Sequence, residues 1–307
     1  MSVGLLPGLA LVFNAFVWGT SWWPFRHLQG HGLHPLWATA IVFTLASLAI
    51  VAARPRSVRQ VLTTPALWLL VTAAGVTNAS FNWAVTIGDV VRVVLLFYLM
   101  PLWTVVLARI VLHERLTPAG WLRIALGVAG AVVVLWPSGA GGAGAAHGGG
   151  ADGGGWPVPV SLADWLGVIG GFSFAFNNVM LRREAHRPEE GRALAMFVGG
   201  AIVAAALAVV LTSTGRAPAP PALAAAWAWP LAGLTLLFLT GNLALQYGAA
   251  RLPANRTSVV MLTEVVFASA SAIALGAGTL TGRLAIGGAL IIAGALLAAA
   301  RPGGASH

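Results

Sequence analysis

Glu264 is a lone carboxylate inside an apolar run. It lies about eight residues from the start of that run, roughly 12 Å deep at 1.5 Å rise per residue. A carboxylate at such depth must be paired, protonated or wetted by a cavity. It is therefore a candidate proton carrier, with a structural hydrogen bond to a neighbouring helix as the ordinary alternative. Around it stand amides and aromatics of a kind that can line an amphipathic cavity. Asn14, Trp18 and Trp22 are four residues apart and share one helix face. Asn78, Asn82 and Trp83 form a second set, Tyr98 a third, and Asn178, Asn242 and Gln246 a fourth. Of the adjacent pair Asn177 and Asn178, which point about 100° apart on a helix, only one is expected to face a cavity. Amides can hold a zwitterion, and indoles can stack on an apolar or aromatic body. The same amides can also serve as plain bonds between helices. Arg92 near a helix end is a candidate gate or interfacial anchor, and Pro101 in mid-helix a candidate hinge.

These residues recur in pairs. Asn14 and Asn178, Asn78 and Asn242, Asn82 and Gln246, Arg92 and Arg256, and Thr117 and Thr281 are each separated by the same 164 positions. Polar side chains at matching places in two halves of an apolar chain are the pattern of an internal repeat.

The elements that must position them are membrane helices. Of the 307 residues 58% are hydrophobic and only 8% charged, with mean hydropathy +0.86. Soluble domains carry about 25% charged residues, so most of this chain faces lipid or other helices. Ten apolar segments of spanning length are expected, at about 4–25, 34–53, 66–86, 90–112, 118–136, 162–181, 193–212, 228–248, 256–276 and 283–300. The net charge of +9 comes from Arg in short loops, not from one basic face, which argues against nucleic acid. With the N-terminus inside, thirteen Arg fall on inner loops and four (Arg26, Arg92, Arg216 and Arg283) on outer ones. That bias places both termini in the cytoplasm. The first apolar run has no basic region before it and no small-residue cleavage site after it, so it is expected to remain as a helix.

Residues 138–160 are Gly-rich and read as an external linker. They divide the chain into a first five-helix unit, 1–137, and a second, 161–301, with 302–307 as a cytoplasmic tail. Five is an odd number, so the second unit enters the membrane from the opposite side. The expectation is an all-α integral membrane protein of ten helices in two inverted repeats.

Trp18-Gly19-Thr20-Ser21, the mid-helix Pro101, the stretch Leu112-His113-Glu114-Arg115-Leu116-Thr117 and the helix carrying Gly127 and Gly130 resemble the EamA-type ten-helix branch of the drug/metabolite transporter superfamily. In that family the stretch usually reads Leu-Gly-Glu-x-Leu-Thr, so His113 stands where glycine is usual. Val265 stands after Glu264 where proline is frequent, and Leu275–Thr281 is a degraded second copy. The resemblance implies alternating access through a central cavity, and many members export amino acids or related metabolites.

The reading is a secondary transporter in the cell (inner) membrane, most simply an exporter of amino acids, aromatic or hydrophobic ones included. Import or exchange of a sugar or a drug-like cation is the alternative. Its partners are a small-molecule substrate and the bilayer, as a monomer or homodimer, with proton coupling through Glu264. No cofactor or metal is expected. The chain has no Cys, no ATP-binding Gly-x4-Gly-Lys-Ser/Thr loop, and no Ser/His pair or paired aspartates at membrane depth. An integral-membrane enzyme or a structural subunit is the rival from another class.

Overall fold

The computed structural model describes residues 5–111, 113, 117–136, 157–184, 186, 188–222, 225–249, 251–252, 257 and 260–299. All regular structure among them is helical. In chain order the helices are α1 (Leu5–Thr20), α2 (Trp22–Gly30), α3 (Pro35–Ala53), α4 (Arg56–Thr63), α5 (Pro65–Ile87), α6 (Val90–Phe97), α7 (Met100–Val111), α8 (Pro118–Leu135), α9 (Leu162–Arg183), α10 (Glu189–Ser213), α11 (Ala225–Ala249), α12 (Thr263–Ala274) and α13 (Gly282–Ala299). Most of the Gly-rich stretch, Glu114, Arg115, Arg256, the side chain of Gln246 and the residues from 300 onward lie outside the described residues.

The helix starts follow from sequence. Pro35, Pro65 and Pro118 begin α3, α5 and α8, where a missing N–H costs nothing. Asp89, Thr117 and Ser161 cap α6, α8 and α9 by accepting from the N–H groups of Arg92, Gly120 and Asp164. Among the described residues, six helical stretches are long and apolar enough to cross a membrane: Leu5–Gly30, Pro35–Ala53, Val90–Val111, Pro118–Leu135, Glu189–Ser213 and Trp227–Ala249. A seventh is added if Arg56–Thr63 and Pro65–Ile87, bent by 99°, form one span. The bend comes from α4, a short helix not foreseen in the sequence. α9 is long enough but less apolar, because Asp164, Ser173, Asn177 and Asn178 interrupt it. α12 falls short because it begins only at Thr263.

Large apolar side chains cover the outside of the bundle. Leu9, Leu48, Val210, Leu236, Leu243 and Ile286 are all exposed. In water such a surface would aggregate; against lipid tails it is the expected one. Inside, α5 packs on α9 and α10, α3 on α10, α1 on α11 and α12, and α8 on α13. The α8–α13 crossing is set by facing glycines. A Cβ at Gly130 would stand 2.7 Å from the Gly287 carbonyl oxygen, and one at Gly287 2.9 Å from the Gly130 carbonyl oxygen. Small residues let membrane helices approach this closely.

The expected fourth helix, 90–112, is broken. α6 ends at Phe97, Tyr98 and Leu99 form a turn, and α7 begins at Met100. Pro101 cannot donate to the Phe97 carbonyl, which would otherwise receive its N–H. Gly167, Gly170 and Gly171 of α9 lie against this break, and a side chain at Gly171 would collide with the Phe97 carbonyl. A second break falls at Leu262, just before α12.

His113 adopts φ 57°, the left-handed region where glycine is favoured. This accounts physically for the glycine usual at that place in the family pattern. Holding a non-glycine residue there costs about 1 kcal/mol. His113→Gly is therefore expected to raise the melting temperature of the detergent-purified protein, while His113→Val lowers it. Equal melting for all three proteins would contradict the assignment.

Candidate functional site

A cavity of 440 Å³ lies between the helices of the bundle. Its wall takes residues from α1, α3 and α5 through α13, including Asn14, Asn78, Tyr98, Asn178, Asn242 and Glu264. Trp18 and Pro101 also line it. Asn82, Trp83 and Arg92, grouped with these residues on sequence grounds, are placed elsewhere. Asn82 is fully buried and its Nδ2 donates to Thr39 Oγ1 at 3.1 Å, a bond between α5 and α3. Trp83 packs edge-on to His34, with ring centroids 5.6 Å apart. Trp22 is buried with its Nε1 donating to Ser271 Oγ at 2.9 Å.

The two helix breaks meet on the cavity wall. Tyr98 is fully buried, and its hydroxyl donates to Glu264 Oε2 at 3.2 Å. The same hydroxyl lies 3.4 Å from the Met261 carbonyl oxygen. Glu264, the one acid on the wall among the described residues, is thus held by a phenol at the break of the opposite helix. Asn14 is held by its Nδ2, which donates to the Gly241 carbonyl at 2.8 Å. Asn78 donates to the Ala74 carbonyl at 2.8 Å within its own helix. Trp18 stacks on Phe238, with centroids 4.4 Å apart and planes 16° apart. Phe43, Phe81, Phe97, Phe174 and Phe197 complete an aromatic wall.

Several lining residues escaped sequence reasoning. Asn177 and Asn178 both line the cavity, although adjacent helical residues point in different directions; a cavity this wide spans both. Arg123 reaches the wall from α8, with Nη2 donating to the Leu297 carbonyl at 2.8 Å. Its position in a terminal turn read only as a topology signal. Thr77 and Thr104 were unremarkable in sequence.

The cavity is not centred along the helices. Arg123 near the start of α8, Leu245 near the end of α11 and Ala295 near the end of α13 mark one direction in which it extends. Toward the other end the bundle is solid. There Val90, Val91, Val93, Val94, Leu95 and Leu96 join Val134, Leu135, Ala163 and Leu166 in one buried apolar cluster. A polar girdle closes over it. Arg92 grips Asp164 with both prongs, Nε to Oδ1 at 2.7 Å and Nη2 to Oδ2 at 3.0 Å, and its Nη1 donates to the Val134 carbonyl at 2.8 Å. A planar guanidinium on a carboxylate in this way is the strong form of an ion pair. Asp89 Oδ2 accepts from the Thr279 N–H at 2.8 Å, and Arg26 donates to the Val85 and Gly88 carbonyls. The acid partner of Arg92, 72 residues away, was not deducible from spacing.

Among the described residues no group of three or more His, Asp or Glu is placed to hold a metal ion.

Comparison with known proteins adds the following. Residues 6–136 match the model of the EamA-like transporter family. No curated protein matches the chain. Fifteen chains of solved structures match. One of them, titled only "Crystal structure of protein", aligns with TM-score 0.57 at 19% identity over 95% of this chain and 96% of its own. At that identity the likeness establishes fold alone.

Proposed function

We propose, from the match of residues 6–136 to the EamA-like transporter family, that the chain moves small organic metabolites by alternating access through the 440 Å³ cavity. The protein is a multi-pass membrane protein of a small-molecule transporter family; the finer reading is an exporter of amino acids with aromatic or hydrophobic side chains. The observation that carries it is the cavity wall itself. It joins amides and one acid to an aromatic surface, and residues on both sides of the Gly-rich stretch contribute. Polar groups can orient an amino acid backbone while Trp18 and the phenylalanines hold an apolar side chain.

The ten-helix, two-repeat arrangement of 1–137 and 161–301 has support in the helix pairings. The pair α1–α11 has its counterpart in α9–α5, while α3–α10 and α8–α13 each pair an element with its own repeat partner. The turn at Tyr98 and the turn at Leu262 are separated by the same 164 positions as the asparagine pairs. Broken helices at matching places in two halves are how transporters expose polar groups at mid-membrane. The Arg distribution orients the Arg92–Asp164 girdle outward and both termini toward the cytoplasm. In that orientation the cavity extends toward the cytoplasmic side, as an exporter needs for loading. Arg92 then acts as an outer latch and the Pro101 break as a hinge. Glu264, at the junction of both breaks, exchanges a proton as access alternates.

The test is uptake of labelled tryptophan, phenylalanine, leucine, serine and glutamate into proteoliposomes. Tryptophan, phenylalanine and leucine are expected to move above the rate in empty liposomes, and glutamate not. Flux of none of them would remove the substrate class. Glutamate carried as fast as tryptophan would also contradict it, because glutamate has no apolar side chain to set against Trp18 and the phenylalanines.

A further inference from the structure

The short helix α4 lies across one end of the bundle. α3 ends at Ala53 and the 23-residue α5 begins at Pro65, so α4 joins two long apolar helices where they leave the bilayer. It is bent by 99° from α5 and therefore runs along the membrane surface. At about 100° per residue it presents three faces. Ser57 and Val61 are buried and hold it to the bundle. Val58 and Leu62 form one flank, where Leu62 is 65% exposed. Arg56, Arg59 and Thr63 fill the remaining face, all exposed, with Arg54 exposed just before the helix. Among the described residues none of the three guanidinium groups has a hydrogen bond or an ion pair; the bonds at Arg54 and Arg59 run through their backbones. Glu189 and Glu190 open α10, which packs on α4, yet neither pairs with these arginines. Trp68, one turn into α5, is 43% exposed, as suits an indole at the depth where headgroups meet acyl chains.

We propose that α4 is an interfacial helix that gathers anionic phospholipids, with Arg54, Arg56 and Arg59 on their headgroups and Leu62 against their acyl chains. A helix with an arginine face and an aliphatic flank lies in the plane of the membrane surface. A guanidinium offers a planar fork of N–H donors that fits phosphate oxygens, and these three have no protein carboxylate to neutralise them. A zwitterionic headgroup carries its own cation beside the phosphate, which offsets the attraction; an anionic one does not. Each arginine near an anionic surface is worth about a fivefold enrichment of such lipid. The occupied surface also braces the bundle, because α4 touches α3, α5 and α10. Its contact with α10 is close: a Cβ at Gly191 would stand 2.5 Å from Gln60 Oε1.

The experiment uses the full chain in phosphatidylcholine liposomes. The chain has no Cys, so a fluorophore attached through Leu62→Cys reports on α4 alone. It is quenched by a small fraction of spin-labelled phosphatidylglycerol or, in a parallel sample, by the same fraction of spin-labelled phosphatidylcholine. Phosphatidylglycerol should quench at least about fivefold more effectively. Replacing all three arginines (Arg54→Gln, Arg56→Gln and Arg59→Gln) should bring the ratio to about one. Arg59→Glu, a single change at an exposed position, should lower it several-fold by itself, so the result does not depend on the triple variant folding. Equal quenching by the two lipids with the arginines intact, or a ratio that the substitutions leave unchanged, would overturn the proposal. A fluorophore that neither lipid reaches would also overturn it, because α4 would then stand off the membrane. A ratio abolished by inorganic phosphate at constant ionic strength would assign the arginines to a free anion and not to lipid.

Discussion

Asp164→Asn is expected to unlatch the sealed end of the bundle. The Arg92–Asp164 pair is the bidentate contact between α6 and α9 there, with side-chain exposures of 27% and 3%. Removing one partner of a buried pair leaves the other charge uncompensated, at a cost of about 3–5 kcal/mol. Arg92 keeps its bond to the Val134 carbonyl and is partly exposed, so a smaller figure of about 2 kcal/mol is appropriate. If the pair exists only while that end is closed, this loss moves the conformational equilibrium about thirtyfold toward the open arrangement. The chain contains no Cys, so a thiol placed at Val94, 2% exposed in the sealed cluster, reports on closure without interference. Its reaction with a membrane-impermeant maleimide should be slow alone and faster by an order of magnitude beside Asp164→Asn. Adding Arg92→Gln removes the orphaned charge, so the double substitution should cost less than the sum of its parts. A Val94 thiol indifferent to Asp164 would mean that the apolar cluster alone keeps this end shut.

Glu264→Gln should uncouple transport from a pH gradient without abolishing it. The amide oxygen still accepts from the Tyr98 hydroxyl, so the contact between the two helix breaks survives. What is lost is the exchangeable proton. If one proton crosses per solute, a gradient of one pH unit supports about tenfold accumulation, because 1.4 kcal/mol is tenfold in any equilibrium constant. The wild-type protein should reach that ratio in proteoliposomes, and Glu264→Gln should settle near unity while equilibrium exchange continues. Flux that ignores both the gradient and the substitution would make the protein a facilitator and Glu264 a structural acid.

Much of this arrangement was legible in the sequence because lipid imposes simple rules. Apolar length fixes helices, proline and capping residues fix their starts, and scarce polar residues stand out. Asn14, Asn78, Asn178, Asn242, Tyr98 and Glu264 were singled out in that way, and the structure brings them to one cavity. Asn82 was grouped with them because it lies one turn from Asn78, but that turn carries it against Thr39 of α3. Helical spacing gives the face of a helix, not which neighbour that face meets. The Arg92–Asp164 pair and the wall position of Arg123 depend on how α6, α8 and α9 are assembled, which no local pattern encodes. The break at Tyr98 was half legible: Pro101 announced a kink, but the glycines of α9 that cradle it gain meaning only through packing.

If transport is by alternating access, one cavity is reached from one side of the membrane, then from the other, by the solute it carries. Thr104 lines that cavity from α7, beyond the break that separates it from Arg92 of α6. In the orientation proposed above, a thiol at Thr104 in sided vesicles is exposed to impermeant maleimide from the cytoplasmic face, and tryptophan should slow the labelling. In the Asp164→Asn background the same thiol should become reactive from the outer face as well, again with protection by tryptophan. A Thr104 thiol labelled equally fast with and without tryptophan, in vesicles that carry tryptophan, would contradict the account, because the solute would then be crossing by another route.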